Sequence, residues 1–329
     1  MSNHADAAIQ LGGVNKSFAG KPAVVDLDLR IDRGSLIGLI GPNGAGKTTT
    51  IRMIMSIIFP DSGTVEVLGR ASAVESKDRI GYLPEERGVY KKMKVGTFLE
   101  YIARLKGVPE HEVRRRAGAW LERVALPNVW KKKCEELSKG MQQKVQFIAS
   151  VIHEPDLIIL DEPFSGLDPV NARLLRTLVD EQHDRGATII FSTHQMSQAE
   201  ALCDRVVMIH EGRKVLDDTP RSIRQRFDPR AILIDPVRID ESTAHLAAIP
   251  GVSGVARFGS GVIKVHLADG VDATAMIGRL AAAMPANRVE VERPTLEDVF
   301  IQIVSGSEAN EEERARLLHA ASSRDGGGD

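Results

Sequence analysis

A glycine-rich segment, GPNGAGKTT at residues 41–49, carries the residue types best suited to chemistry in this chain. It fits the pattern G-x-x-x-x-G-K followed by Ser or Thr, through Gly41, Gly46, Lys47 and Thr48. Glycines let successive backbone N–H groups turn toward an anion with no Cβ in the way. Lys47 would reach the β- and γ-phosphates of a nucleotide, and the Thr48 hydroxyl would bind Mg²⁺. The alternative, a glycine-rich turn before a core helix, would produce this match by chance in about one chain in a hundred.

Two carboxylates and a histidine follow apolar runs farther along the chain. Asp161 and Glu162 end the run DLIILDE, and His194 follows the run ATIIFST. Asp161 can hold magnesium, and Glu162 can polarise an attacking water. Acidic residues at strand ends are mostly just solvated, and a histidine there is more often a solvated loop residue. Because the same chain holds the glycine loop, the two carboxylates become a strong indication of chemistry on a nucleotide phosphate.

The elements that must position these residues are buried strands and the helices between them. Residues 36–40 are typical of a short buried strand, and helical spacing after the glycine loop places apolar side chains at Ile51, Ile54, Met55 and Ile58. Unbroken apolar runs such as residues 156–162 belong to parallel sheets covered on both faces. The pattern therefore predicts an α/β core.

Ahead of the loop, residues 8–31 predict short strands, interrupted at Gly12-Gly13 and turning at Ala19-Gly20. Phe18 stands just before that turn. An aromatic residue there could stack on a nucleotide base or belong to the core, and its position alone favours neither.

Between the glycine loop and the carboxylates, the pattern becomes helical over residues 97–150. Thr97 and Glu100 have the spacing of a capping box, which predicts that a helix begins there. A second helix follows, and the segment CEELSKG leads into a third over residues 141–153. A second anion site is a possibility at the N-terminus of that third helix.

After residue 228 the pattern restarts. The predicted order is β-α-β-β-α-β, that of a small α+β ferredoxin-like domain over residues 229–305. Thr295 and Asp298 would cap one further helix, and nothing in this domain indicates chemistry. Residues 306–329 are charged and rich in glycine, so we expect a disordered tail.

Composition narrows the class of protein. A chain of 329 residues should hold more than one domain, and a net charge of −2 gives no global attraction to nucleic acid or anionic lipid. Cys134 and Cys203 form no metal-spaced cluster, as expected for reduced thiols in the cytosol. Neither a leader pattern nor a run of eighteen apolar residues occurs, so we expect a chain that neither crosses a membrane nor is secreted by itself.

Four motifs in order make the chain resemble the ATP-binding subunit of ABC transporters over roughly residues 9–226. Residues 41–49 match the family's Walker A, LIILDE at 157–162 its Walker B, SGLD at 165–168 its D-loop, and LSKGMQQK at 137–144 its signature. The resemblance implies a P-loop NTPase core of the ABC type, with a mixed sheet and a helical insert, here within residues 1–228. ATP and Mg²⁺ are the implied ligands.

The resemblance also implies roles for individual residues. Lys47, Glu162 and His194 would be catalytic, with His194 contacting the γ-phosphate, while Thr48, Asp161 and Glu85 would hold Mg²⁺. Glu85 stands in YLPEE where most of the family has a glutamine, and Lys139 replaces a common signature glycine. The nucleotide contacts would come from Phe18, Gly41, Pro42, Asn43, Gly44, Ala45, Gly46, Lys47, Thr48, Thr49, Ser138, Gly140 and Asp168.

The resemblance implies two partners, a second ATP-binding subunit in a homodimer and a separate integral membrane permease. The permease would hold the chain at the inner face of the cell membrane. YLPEERGVYKKMKV and PTLEDVFIQIVSG resemble an exporter branch that includes sodium-extrusion and drug-resistance ATPases. One alternative is an ABC ATPase acting on nucleic acid, disfavoured because no coiled coil or second cassette is present. A non-catalytic module would lack Glu162 or His194, and a small-molecule kinase would have no signature motif.

Overall fold

The computed structural model describes residues 7–85, 90–227, 230–238, 242–258 and 261–305. The described chain divides into two compact units, the first ending at Thr219 and the second starting at Pro220. The tail predicted over residues 306–329 lies outside the described residues. None of the helices within these ranges combines the length and the apolar character needed to cross a membrane.

The first unit holds the strands and helices around the glycine loop. Its strands are β1 (Ala7–Phe18), β2 (Lys21–Asp32), β3 (Leu36–Ile40), β4 (Ser62–Val67), β5 (Ile80–Leu83), β6 (Leu157–Asp161), β7 (Thr188–Thr193), β8 (Arg205–His210) and β9 (Arg213–Asp218). Its helices are α1 (Lys47–Ile54), α2 (Val95–Leu105), α3 (Glu110–Arg123), α4 (Lys139–Val151), α5 (Pro169–Asp184) and α6 (Met196–Leu202). Short 3-10 helices cover Ala73–Arg79 and Cys134–Glu136.

The main sheet has the strand order β5-β6-β7-β3-β8-β9. Neighbours from β5 through β8 pair in parallel, and β9 pairs antiparallel with β8. Every residue of β3, β6 and β7 is buried, as expected for parallel strands covered on both faces. The predicted mixed sheet is confirmed. Because β3, β6 and β7 run in parallel, their carboxyl ends bring Gly41, Asp161 and His194 to the same edge of the sheet.

The first unit also contains a smaller antiparallel sheet of order β2-β1-β4. The short strands predicted before residue 31 are in fact long, because the Gly12-Gly13 pair produces a register shift within β1 rather than ending it. Gly13 has a φ of 56°, and its N–H donates to Oδ1 of Asp28 at 2.8 Å on the paired strand. The irregular backbone is therefore still hydrogen-bonded across the sheet.

The helix predicted to begin at Thr97 begins at Val95, so the capping box expected from Thr97 and Glu100 is wrong. The reason is a tertiary contact. The N–H of Val95 donates to the Lys132 carbonyl at 2.9 Å, and that of Gly96 to the Trp130 carbonyl at 3.0 Å. A neighbouring loop thus satisfies the first donors of α2 and moves its start ahead of the residues that could have capped it.

The second unit begins with α7 (Pro220–Arg226), a helix that the sequence grouped with the first domain. The elements that follow are β10 (Ala231–Pro236), α8 (Ala244–Ala247), β11 (Val252–Arg257), β12 (Ile263–Leu267), α9 (Ala273–Ala283), β13 (Ala286–Val291) and α10 (Leu296–Ser305). Its antiparallel sheet has the order β11-β12-β10-β13. This is the predicted β-α-β-β-α-β succession of a ferredoxin-like domain.

Candidate nucleotide site

The glycine loop joins the end of β3 to the start of α1. Gly46 has a φ of 110°, and a Cβ at this position would lie 2.5 Å from the carbonyl oxygen of Ala23. At Gly41, a Cβ would lie 2.1 Å from the carbonyl oxygen of Ile209. Both residues must be glycine for the loop to pass this close to the backbone of its neighbours. The loop leads directly into the N-terminus of α1, where the helix dipole favours an anion.

Lys47, the first residue of α1, is held against the loop it follows. Its Nζ donates to the carbonyl oxygens of Gly41 at 2.8 Å and Pro42 at 3.1 Å. The side chain is only 6% exposed, and its Nζ lies 4.0 Å from Oε1 of Glu162. Burial lowers the pKa of Lys47, and the nearby carboxylates, Glu162 foremost, oppose that shift. The lysine is thus a buried cation at the position where a phosphate would meet the loop.

Glu162 and His194 are in direct contact. Oε1 of Glu162 accepts the backbone N–H of His194 at 3.0 Å and lies 3.0 Å from Nδ1 of the histidine ring. Because a carboxylate only accepts hydrogen bonds, an ionised Glu162 takes this one from Nδ1–H. Glu162 is buried and has a φ of 48°, in the left-handed region. The backbone therefore turns sharply just after β6, at the position where the Glu162 side chain contacts His194.

Asp161 has one satisfied and one unsatisfied carboxylate oxygen. Oδ1 accepts hydrogen bonds from Ser192 and, at 3.4 Å, from the Thr48 hydroxyl. Oδ2 is buried and has no hydrogen-bond partner among the described residues. A buried carboxylate oxygen without a donor fits a cation, and Mg²⁺ commonly takes one or two protein oxygens together with phosphate oxygens. The residues present therefore fit a magnesium ion.

Ser192 is a site residue that our sequence analysis missed. It pairs with Asp161 across β6 and β7, donates to Oδ1 of Asp161, and accepts the backbone N–H of Glu162 at 3.1 Å. From the neighbouring strand it therefore holds the Asp161 carboxylate and the backbone of Glu162. The available signal was a hydroxyl within the apolar run ATIIFST, two residues before His194.

The glycine loop, Lys47 and Glu162 line a cavity of about 260 Å³. Glu85 lies at the exposed edge of this cavity, and its negative charge acts to raise the pKa of Lys47. The described residues that line the cavity are Ala23, Asn43, Gly44, Gly46, Lys47, Thr48, Thr49, Glu85 and Glu162. The structure thus brings Lys47, Glu85 and Glu162, from three separate regions of the sequence, to one cavity at the glycine loop.

Phe18 ends β1 and is 48% exposed. The alternative that it belongs to the core is wrong. Nζ of Lys16 lies 5.6 Å from the centroid of its ring. An exposed ring next to a cation retains a face on which a base can stack.

Ser138, Gly140 and Asp168 lie together at two helix N-termini. Ser138 is exposed and caps α4, its hydroxyl accepting the N–H of Met141 at 3.3 Å, so the helix starts two residues before the predicted Met141. Asp168 caps α5 by accepting from the backbone of Val170 and Asn171. A Cβ on Gly140 would lie 3.4 Å from Nδ2 of Asn171. None of these three predicted contacts lines the cavity at the glycine loop within the described chain.

The class of protein follows from this geometry: a P-loop fold in which a lysine, two carboxylates and a histidine meet at the edge of a mostly parallel sheet. Family models agree. "ABC transporter" matches residues 24–165, "ATP-binding protein DrrA1-3-like, C-terminal domain" matches 219–304, and "AAA domain, putative AbiEii toxin, Type IV TA system" matches 134–197.

Individual proteins are similar over most of their length. The uncharacterized ABC transporter ATP-binding protein YhaQ of Bacillus subtilis (strain 168) is 40% identical over 88% of this chain and 96% of its own. The daunorubicin resistance ATP-binding protein DrrA3 of Streptomyces coeruleorubidus is 30% identical over 91% and 96%. The structure of cbiO1 from Clostridium perfringens, part of the ABC transporter complex cbiONQ, has a TM-score of 0.59 at 27% identity and covers 66% of this chain and 90% of that one.

The chain therefore belongs to the ABC transporter ATP-binding proteins. It is an ATP-binding subunit that hydrolyses ATP to power transport. The fold, the activity and the family predicted from the sequence are confirmed.

Proposed function

We propose that Lys47, Glu162 and His194 form the catalytic group of this ATPase. The observation that carries the proposal is their convergence, with Oε1 of Glu162 3.0 Å from Nδ1 of His194 and 4.0 Å from Nζ of Lys47. Glu162 orients and deprotonates the attacking water, a role worth about 10² to 10⁴ in rate. His194 holds the water and the γ-phosphate in line, and Lys47 neutralises the charge of that phosphate.

The same proposal gives Thr48, Asp161 and Glu85 to Mg²⁺. The unsatisfied Oδ2 of Asp161 supports this assignment most directly. When bound, the metal neutralises charge on the β- and γ-phosphate oxygens. Ser192 fixes the orientation of Asp161, and the exposed Glu85 adds a negative charge where a glutamine would be neutral.

We infer that ATP is held between two copies of the chain. The glycine loop, residues 41–49, cradles the phosphates, Phe18 stacks on the adenine, and Ser138, Gly140 and Asp168 of the second copy close over the nucleotide. The N-terminus of α4 supports this role because the N–H groups of Lys139 and Gly140 have no acceptor inside the helix. With the γ-phosphate present, two positive helix ends share its charge. After hydrolysis that attraction falls and the dimer opens.

We propose further that the dimer acts on a separate integral membrane permease, at the inner face of the cell membrane, and that the movement is export. The cbiO1 subunit is described as part of a transporter complex, and DrrA3 as a resistance protein. The contact surface would include the helical insert and residues 85–94, of which 86–89 lie outside the described chain. A C-terminal accessory domain of residues 229–305 and the absence of a nucleic-acid partner remain predictions.

Two measurements test this function. The Glu162→Gln chain should form a dimer with Mg-ATP and remain a monomer with Mg-ADP in size-exclusion chromatography with light scattering. A chain that stays monomeric with both nucleotides contradicts the two-copy arrangement.

Purification of the wild-type chain from its own host should retain an integral membrane protein, and recovery without one contradicts the permease partner.

A further inference from the structure

A cavity of about 390 Å³ lies within the second unit, between α7 and the segment that follows β13. Three arginines line it, Arg221, Arg224 and Arg293, together with Gln225, Glu292 and Pro294. Its size falls in the range of small-molecule sites.

The arginines come from two elements that are fixed by their own contacts. Arg221 and Arg224 are three residues apart on α7 and so share one face of the helix, while Ile223 anchors α7 because it is fully buried. Arg293 directly follows Glu292, whose N–H donates to the Ala231 carbonyl at 2.8 Å. The cavity is therefore built from anchored backbone on both sides.

Two of the three arginines carry a charge that no described carboxylate balances. Arg221 and Arg293 make no ion pair with any residue that the structure describes, and both are exposed. Glu292, the carboxylate in the lining, is already paired, because Nζ of Lys264 lies 2.8 Å from its Oε2. Bringing several guanidinium groups to one cavity is unfavourable unless an anion neutralises them.

We propose that this cavity binds a small ligand that carries phosphate groups. The guanidinium group presents a planar fork of N–H donors that matches phosphate oxygens, which makes arginine clusters the common receptor for this chemistry. The Gln225 amide adds a donor and an acceptor for a polar group next to the phosphate. None of these residues belongs to the ATP site, so the proposal does not rest on the assignments made there. The phosphate could belong to a free solute or to a lipid headgroup.

The test is binding to the full chain with Mg-ADP present to occupy the glycine loop. One arm titrates inorganic pyrophosphate by calorimetry, and the other measures co-flotation with phosphatidylcholine vesicles with and without phosphatidic acid. The test variants are Arg221→Ala/Arg224→Ala/Arg293→Ala and the double Arg221→Ala/Arg293→Ala, which spares the half-buried Arg224. The control removes the same number of charges elsewhere in the unit: Arg226→Ala/Arg279→Ala/Arg288→Ala.

We expect the control to bind like the parent and each arginine removed from the cavity to weaken binding by about tenfold. Loss of pyrophosphate binding identifies a free phosphate ligand, and loss restricted to phosphatidic acid vesicles identifies a headgroup. Equal binding by the test and control variants in both arms overturns the proposal, as does no binding by the parent to either probe. The double variant keeps this conclusion secure if the triple variant fails to fold, as judged by circular dichroism.

Discussion

The two regions proposed to grip the nucleotide are built differently. At the glycine loop, Lys47, Asp161 and Glu162 are buried, and each side chain is hydrogen-bonded to a neighbouring residue of the same chain. At the start of α4, Ser138 and Lys139 are exposed, and the Ser138 hydroxyl is engaged only in capping its own helix among the contacts described. One region holds its groups in place with contacts from its own chain. The other region exposes the N-terminus of α4 to solvent, as expected for a surface that a second copy of the chain completes.

Replacing Glu162 by Gln should have the largest effect, because it tests the catalytic base of the buried region. The amide keeps the shape of the side chain and removes the base, so turnover should fall by about 10² to 10⁴ while ATP binding remains. A coupled phosphate-release assay measures turnover, and the exposed Glu154→Gln serves as the control. Equal turnover by mutant and parent would show that the base is a different residue.

Replacing Lys47 by Ala tests the same region through binding rather than turnover. Removing a buried cation from the phosphate position should weaken ATP binding by roughly a hundredfold. Isothermal titration calorimetry measures the affinity, and the exposed Lys77→Ala should leave it unchanged. Retention of parental affinity in K47A would contradict the placement of phosphate at this lysine.

Replacing Ser192 by Ala tests whether the buried side is held by its own neighbours. Without the hydroxyl, Asp161 loses the hydrogen bond that orients it, and the Mg²⁺ concentration for half-maximal activity should rise by about 10- to 100-fold. Saturating Mg²⁺ should restore most of the turnover, which a purely structural loss would not allow. A Mg²⁺ titration of ATPase activity identical to that of the parent would remove Ser192 from the site.

Replacing Ser138 by Asp tests whether the exposed start of α4 contacts a phosphate in the dimer. Aspartate is as good a helix cap as serine, so the thermal unfolding midpoint should stay close to that of the parent. Its negative charge would repel a phosphate, and ATP-dependent dimerisation should weaken by about tenfold in light scattering. Unchanged dimerisation would mean that Ser138 serves α4 alone.

Replacing Glu85 by Gln should have the smallest effect, because this residue lies at the exposed edge of the cavity. The change removes a negative charge near Lys47 and near the γ-phosphate, so ATP affinity should increase by less than about tenfold. The increase should shrink as salt is added. A loss of affinity in calorimetry would instead show that Mg²⁺ needs the charge of the Glu85 carboxylate, and not only an oxygen ligand at this position.

The capping boxes illustrate what the sequence could and could not predict. Thr295 and Asp298 form the box expected from their spacing, with N–H to side-chain distances of 2.9 and 3.1 Å. Thr97 and Glu100 have the same spacing, yet α2 starts at Val95, since carbonyl groups more than thirty residues away accept its first N–H groups. Local chemistry was sufficient only where no distant backbone competed.

The site divides in the same way. Lys47, Asp161 and Glu162 were predictable because adjacent strand, loop and helix signals set their positions. Ser192 was missed because its role depends on β7 lying next to β6 in the sheet, and strand order is a tertiary property. The proximity of Gly140 to Asp168, through Asn171, likewise depends on how α4 and α5 pack.

The most direct test of the central claim is a structure of the Glu162→Gln chain bound to Mg-ATP. We predict a dimer in which the Ser138 hydroxyl of one copy lies about 3 Å from a γ-phosphate oxygen held by the other copy's Lys47. A nucleotide bound at the glycine loop with both Ser138 side chains facing only solvent would contradict the two-sided grip.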